Sequence, residues 1–266
     1  MVKRYVLMFF CLISMISCKK EIVIDYHEAD SRYVVEGNIS ATGSEIRVSK
    51  TNAMDNNSTG SDVDNATVVI TGDDGTRATI PFVRNGYYRS KFKAVAGTEY
   101  LLEVDVDGHH FSSTSTMQRT PKMNEFRLVR KKMLTERYLF GDLRLQDIPN
   151  ETNWYFMHIY RNGIGYRWAV MKDDKNPNKE LQQLFTFFRD GEKGSDVLQD
   201  GDVLKIVIRA IDQRAYDYLY SMQQMSSTGT NPIDNFTGGC LGYFSAYNEI
   251  EYHQSFYYSD VVEDEE

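Results

Sequence analysis

The chain is poor in cysteine, in basic charge and in long apolar runs, and each shortage closes off a class of protein. Three cysteines occur in 266 residues, Cys11, Cys18 and Cys240. That is too few for a disulfide-dense scaffold or for a zinc site built from several thiolates, so the fold must be held by its core. Lysine and arginine number 30 against 38 acidic residues, a formal net charge of −8. This balance argues against nucleic acid, whose phosphates need a basic surface, and against peripheral binding to anionic lipid through a basic patch. The one long apolar run covers residues 6–16, broken only by Ser14. It is about eleven residues, where a transmembrane helix needs roughly 20. Catalytic fingerprints are missing as well. There is no HExxH, no GxSxG nucleophile elbow and no phosphate-binding GxxxxGK[ST] or GxGxxG.

The N-terminus supplies the strongest positive signal. Lys3 and Arg4 precede the apolar run, whose length suits the core of a signal peptide, and the small residue Ser17 stands just before Cys18. Met15-Ile16-Ser17-Cys18 resembles a bacterial lipobox, in which diacylglycerol is added to the cysteine thiol and signal peptidase II cuts before it. The pattern prefers Leu where this chain has Met15, an apolar residue of similar volume. The expected organisation is a lipoprotein signal peptide at 1–17, cleavage between Ser17 and Cys18, and a lipidated tether at 18–31. A hydrophobic N-terminal element with a buried cysteine and a plain secretory signal cut elsewhere are the competing readings. With the leader removed, Cys11 is gone and Cys18 is a thioether. Cys240 then has no partner for an intramolecular disulfide, and loss of Lys3 and Arg4 takes the formal charge to −10.

Beyond the tether the chain reads as mainly β. "RYVVEGNI" and "SEIRVSK" alternate apolar and polar residues, as half-buried strands do. Strands follow around Asp74-Gly75 and Asn85-Gly86, and Asp107-Gly108 suits the tight primed turn of a hairpin. Short strands at this spacing suggest an immunoglobulin-like or transthyretin-like β-sandwich over 32–119. Thr120-Pro121 marks a boundary, after which 120–258 forms a second β-rich domain and 259–266 an acidic, solvated tail. One helix is expected at about 212–225. Asp212 can cap it, and Ala215, Tyr218, Leu219, Met222 and Met225 share one face at helical spacing.

The order of "YVVEGNI", "NATVVITGDDG", "GYYRS" and "AGTEYLLEV", then "AYDYLYSMQQM" and "NPIDNFTGGCLGYFSAY", resembles the Bacteroidota lipoproteins grouped as domain-of-unknown-function family 4249. The resemblance covers nearly all of the mature chain and is most specific at "GGCLGYFSAY" with the helix before it. It implies an outer-membrane lipoprotein, often encoded beside a TonB-dependent receptor. It also implies a carboxypeptidase-regulatory-like N-terminal sandwich and a second β-rich domain. The family brings no catalytic residues. In that phylum acidic residues after the lipidated cysteine direct export to the cell surface; here the segment is Lys19, Lys20 and Glu21, a partial match.

Other candidates for chemistry are thin. His109 and His110 are adjacent, so in a strand they point to opposite faces and cannot share an ion. His27 falls in the tether, and His158 and His253 lie in aromatic-rich strands. Cys240 sits among Gly238, Gly239 and Gly242 with no histidine close in sequence, which favours packing over nucleophilic catalysis. Two loops alternate oxygen-bearing residues but fail the calcium-loop pattern. Ala66 follows Asp55, Asn57, Thr59 and Gly60 where a glutamate is required, and Lys179 replaces the needed glycine among Asp174, Asn176, Asn178 and Glu180. No metal, cofactor or catalytic set is expected. The aromatic segment "NWYFMHIYRNGIGYRW" offers Trp154, Tyr166 and Trp168 as ligand contacts, against the commoner role of such residues in a core. The expectation is a lipid-anchored binding or accessory protein working with a TonB-dependent transporter on an unidentified nutrient. A structural or adhesive envelope lipoprotein and a surface hydrolase are the alternatives.

Overall fold

The computed structural model describes residues 31–52, 61–173, 180–228 and 232–264. The expected signal peptide, the lipidation site Cys18 with Ser17, the segment Lys19, Lys20 and Glu21, and both loops tested for calcium, apart from Glu180 and residues 61–66, lie outside these residues. In chain order, β1 (Tyr33–Ser40), β2 (Ser44–Lys50), β3 (Ser61–Asp62), β4 (Thr67–Gly72), β5 (Arg77–Thr79), β6 (Phe82–Arg84), β7 (Tyr87–Ser90), β8 (Glu99–Val106) and β9 (His109–Thr116) come first. They are followed by β10 (Met123–Met133), β11 (Glu136–Leu145), β12 (Trp154–Arg161), β13 (Ile164–Lys172), β14 (Leu181–Arg189) and β15 (Val203–Ile211). Helix α1 (Gln213–Thr228), the long β16 (Leu241–Ser255) and the short β17 (Val262–Asp264) complete the chain. The fold is mainly β with a single α-helix among the described residues. The primed turn expected at Asp107-Gly108 is present, with φ of 48° and 78°, and Asn162-Gly163 repeats it at 50° and 81°.

The strands form three sheets. A nine-stranded sheet runs β13-β12-β15-β16-β1-β2-β7-β6 with β3 on β2, and two four-stranded sheets run β5-β4-β8-β9 and β14-β11-β10-β17. The first small sheet closes over one half of the large sheet around Val35, Ile39, Ile46, Val48, Ile70, Leu102, Val104 and Phe244. The second closes over the other half around Leu143, Leu145, Tyr155, Met157, Ile159, Leu204, Ile206 and Phe256. Burying each of these side chains contributes about 1.5–3 kcal/mol, so the two cores carry the stability that disulfides do not.

One strand joins the halves. Residues 241–247 of β16 pair parallel with β1, and residues 248–255 pair antiparallel with β15. Phe244 and Ala246 enter the first core and Ile250 the second. These are even-numbered positions of one strand, so both small sheets cover the same face of the large one. The sequence divides at Thr120-Pro121, between β9 and β10, yet in space β16 belongs to both sides. Gly242 makes the seam fit: it sits at φ 107°, and a Cβ there would come within 1.9 Å of the Val35 carbonyl oxygen.

Two expectations are corrected. Asp212 caps the helix as expected, its Oδ1 accepting the Ala215 N–H at 2.9 Å, and its Oδ2 also accepts the Thr116 N–H at 2.9 Å. The shared apolar face, however, is used only in part. Ala215, Leu219 and Tyr216 pack with Ile211, Tyr247, Trp154 and Phe156, whereas Met222 and Met225 remain 40% and 39% exposed. The supporting sheet lies under the first turns only. The acidic tail is not simply solvated either. β17 extends the second small sheet parallel to β10, with Glu263 paired to Arg130 and Arg137 and Asp264 to Lys131 at 2.6 Å. A row of basic side chains on the β10–β11 edge gives these acids a reason to dock.

Candidate ligand-binding face

The face of the large sheet away from the two cores is where polar and aromatic chemistry gathers. Tyr155, Met157 and Ile159 of β12 point into the core, so the alternate residues Trp154, Phe156, His158 and Tyr160 point out. His158 stacks on Tyr160 with ring centroids 4.0 Å apart and lies 5.9 Å from Phe156, which in turn lies 6.0 Å from Trp168. Burial, together with the charges of Arg209 and Lys205, lowers the His158 pKa, so the ring is neutral at pH 7. Next along the sheet, Lys205 lies 4.8 Å over Tyr160, and Arg209 lies 4.2 Å over Tyr247. Each cation also meets an acid of β16: Arg209 with Glu249 at 2.9 Å and Lys205 with Glu251 at 3.4 Å.

This face opens into a groove of about 460 Å³ where the two halves of the molecule meet. Asn38 and Ser40 of β1, Thr42 and Gly43 of the following turn, and Ser44, Glu45, Arg89 and Ser90 of β2 and β7 line one side. Arg209 and Tyr247 line the other. Two guanidinium–carboxylate pairs flank a floor of hydroxyl and amide groups, since Arg89 meets Glu45 at 2.5 Å as Arg209 meets Glu249. Donors and acceptors of both kinds, with arginine planes able to grip a carboxylate or vicinal hydroxyls in two places, suit a small polar ligand. The groove escaped the sequence because its residues come from 38–45, 89–90, 209 and 247, and no local pattern links them.

The three aromatics chosen from sequence do not converge. Trp154 packs against the helix cluster, and only Trp168, 37% exposed, stands on the open face. Tyr166 is turned inward. Ile159 pairs with Arg167 and Tyr160 with Gly165, so Tyr166 is the extra residue of a β-bulge. Its ring packs on Phe187 at 5.4 Å, its hydroxyl donates to the Asp196 carbonyl at 2.9 Å, and burial pushes its pKa up to about 12. His109 leans on Tyr33 and Phe111 while His110 meets Asp105 at 2.8 Å, on opposite faces as their adjacency requires. Cys240 is 2% exposed in the first core, and burial pushes its thiol up to about 12. The nucleophile reading of this cysteine fails, because a thiol so buried and so weakly acidic supplies no thiolate. Glu180, the described end of one tested calcium loop, is engaged by Asn124 at 2.8 Å and Arg144 at 3.1 Å. Among the described residues no group of three or more His, Cys, Asp and Glu side chains is placed to hold a metal.

A family model described as "Domain of unknown function (DUF4249)" matches residues 19–253, nearly the whole of both sandwiches and the seam between them. No curated protein matches the chain.

Proposed function

Since the chain belongs to the DUF4249 family, we propose that it is a lipid-anchored binding protein of the outer membrane, serving a TonB-dependent transporter in the capture of a small polar nutrient. The observation that carries this reading is Met15-Ile16-Ser17-Cys18 at the end of a short apolar run. A spacer follows, and the first strand begins at Tyr33. The spacer from Lys19 to Arg32 reaches at most about 50 Å at roughly 3.5 Å per residue, which keeps the fold near the mouth of a membrane transporter. The groove between the two halves is the proposed capture site.

Stable anchoring needs two or more acyl chains, each held by about 0.8 kcal/mol per buried CH₂. Cys18→Ala therefore moves the protein out of the membrane fraction or leaves it as uncut precursor. Processed, membrane-bound protein in that variant would refute the anchor. A TonB-dependent transporter should co-purify with the anchored protein, and Arg89→Glu should leave anchoring intact while weakening uptake through that transporter. Normal uptake combined with altered attachment or envelope integrity on deletion would instead favour the adhesive or structural reading.

A further inference from the structure

The charges that face the groove are already balanced. Arg89 meets Glu45 at 2.5 Å on one side, and Arg209 meets Glu249 at 2.9 Å on the other. An anion entering between these pairs gains two guanidinium groups but also meets two carboxylates, and a cation meets the reverse. A neutral ligand avoids both conflicts. Each pair also sets a donor beside an acceptor, since a guanidinium only donates and a carboxylate only accepts. A vicinal diol fits such a pair: one hydroxyl donates to the carboxylate while its neighbour accepts from the guanidinium.

The floor has the same double character. Ser44 and Ser90 share a hydrogen bond of 2.7 Å, and Ser40 and Thr42 share one of 2.9 Å. A hydroxyl holds one donor and two acceptor sites, so both pairs keep capacity for a ligand that donates and accepts in turn. Tyr247 is the group left wanting. It lines the groove, it is only 8% exposed, and among the described residues its hydroxyl makes no hydrogen bond. The charges of Arg209, Glu249 and Glu45 all act on that hydroxyl, which puts it within reach of both ion pairs. A polar group so far withdrawn from water is costly until something bonds to it.

An aromatic surface adjoins the groove, and Arg209 borders both. Its guanidinium stands 4.2 Å over the Tyr247 ring and 5.8 Å over that of Phe156. Phe156 in turn lies 6.0 Å from the exposed Trp168. The face of an aromatic ring carries the negative end of its quadrupole, so it attracts the positively polarised C–H bonds on the flat side of a sugar ring. Hydroxyls along the edge with apolar C–H faces is the pattern of a saccharide. Building on the reading of this groove as a capture site, we propose that its ligand is a neutral saccharide. Vicinal hydroxyls lie against the two arginine–glutamate pairs and Tyr247, and a further sugar unit stacks on Trp168.

The test titrates the full-length protein, held in detergent, by calorimetry with glucose, galactose, mannose and xylose and with neutral trisaccharides built from them. Glucuronate and galacturonate serve as the charged counterparts. At least one neutral sugar should bind saturably, and the uronates should bind more weakly than their parent sugars. Tyr247→Phe removes a single oxygen and should weaken the sugar about three- to tenfold. Glu45→Gln leaves Arg89 unpaired, so it should weaken the neutral sugar and strengthen the uronate. Trp168→Ala should weaken the trisaccharide and leave the monosaccharide unchanged. If a variant fails to fold, the wild-type preference between sugar and uronate still decides. The proposal is overturned if no sugar of the set binds, if the uronates bind tighter, or if neither Tyr247→Phe nor Glu45→Gln alters binding. Uptake that Arg89→Glu still slows, with no saccharide bound, overturns the sugar and leaves the capture site standing. Saccharide binding by Cys18→Ala protein released from the membrane upholds the sugar even where no transporter co-purifies.

Discussion

Asp142 is a fully buried carboxylate whose surroundings decide its protonation. Burial disfavours its charge, but the Gln182 amide at 2.7 Å, Arg127 at 2.9 Å and Arg144 at 3.2 Å outweigh that and hold its pKa below the ordinary value. A carboxyl whose pKa is depressed by folding stabilises the native state above its unfolded pKa, near 3.9. That contribution is lost as pH falls through the lower folded value. Asp142→Asn removes the charge and leaves two arginines without their shared partner, at a cost of about 2–4 kcal/mol at pH 7. Urea unfolding of both proteins at several pH values checks this. The gap between them should narrow as pH drops from about 5 toward 2, and a gap independent of pH would rule the charge out as its origin. The residue-scale chemistry was only partly legible beforehand. The opposed faces of His109 and His110 follow from adjacency alone, whereas the inward turn of Tyr166 depends on a bulge that no residue type announces.

At the scale of elements, α1 illustrates what periodicity captures and what it does not. The cap and the apolar face are written locally, in Asp212 and in the spacing of Ala215, Tyr218 and Leu219. How far the supporting surface extends is not, which is why Met222 and Met225 are left in solvent. Asp212 does more than cap, because it also ties the helix start to the end of β9 through Thr116. Asp212→Ala should therefore cost about 1–2 kcal/mol, the upper part of the range for a lost N-cap, with loss of protection at the Ala215 and Thr116 amides in hydrogen exchange. Protection lost at Ala215 alone would confine the role of Asp212 to the cap. The tail gives the converse case. "DVVEDEE" reads as solvated because its own composition offers nothing apolar enough to bury. Its docking depends on Arg130, Lys131 and Arg137, more than a hundred residues earlier in the chain.

On the scale of the whole molecule, β16 makes the two sandwiches one mechanical unit. Damage at the seam should reach both. Gly242→Ala forces a Cβ against the Val35 carbonyl in a backbone conformation that side chains rarely adopt. It should cost about 2 kcal/mol or more and lower a single calorimetric transition rather than split it in two. Two separated transitions in the wild-type protein would mean that the seam does not couple the halves. The groove shares this dependence on assembly, because it lies where the halves meet. The sequence by itself determined the strand-rich class, the primed turns, the helix with its cap and the family, because each rests on local alternation, turn residues or the linear order of motifs. The tertiary structure alone decided that a strand near the C-terminus pairs with the first strand. It also decided that residues 38–45, 89–90, 209 and 247 form one groove. A strand's own residues specify which face it buries, but its partner is chosen by packing between segments far apart in the chain.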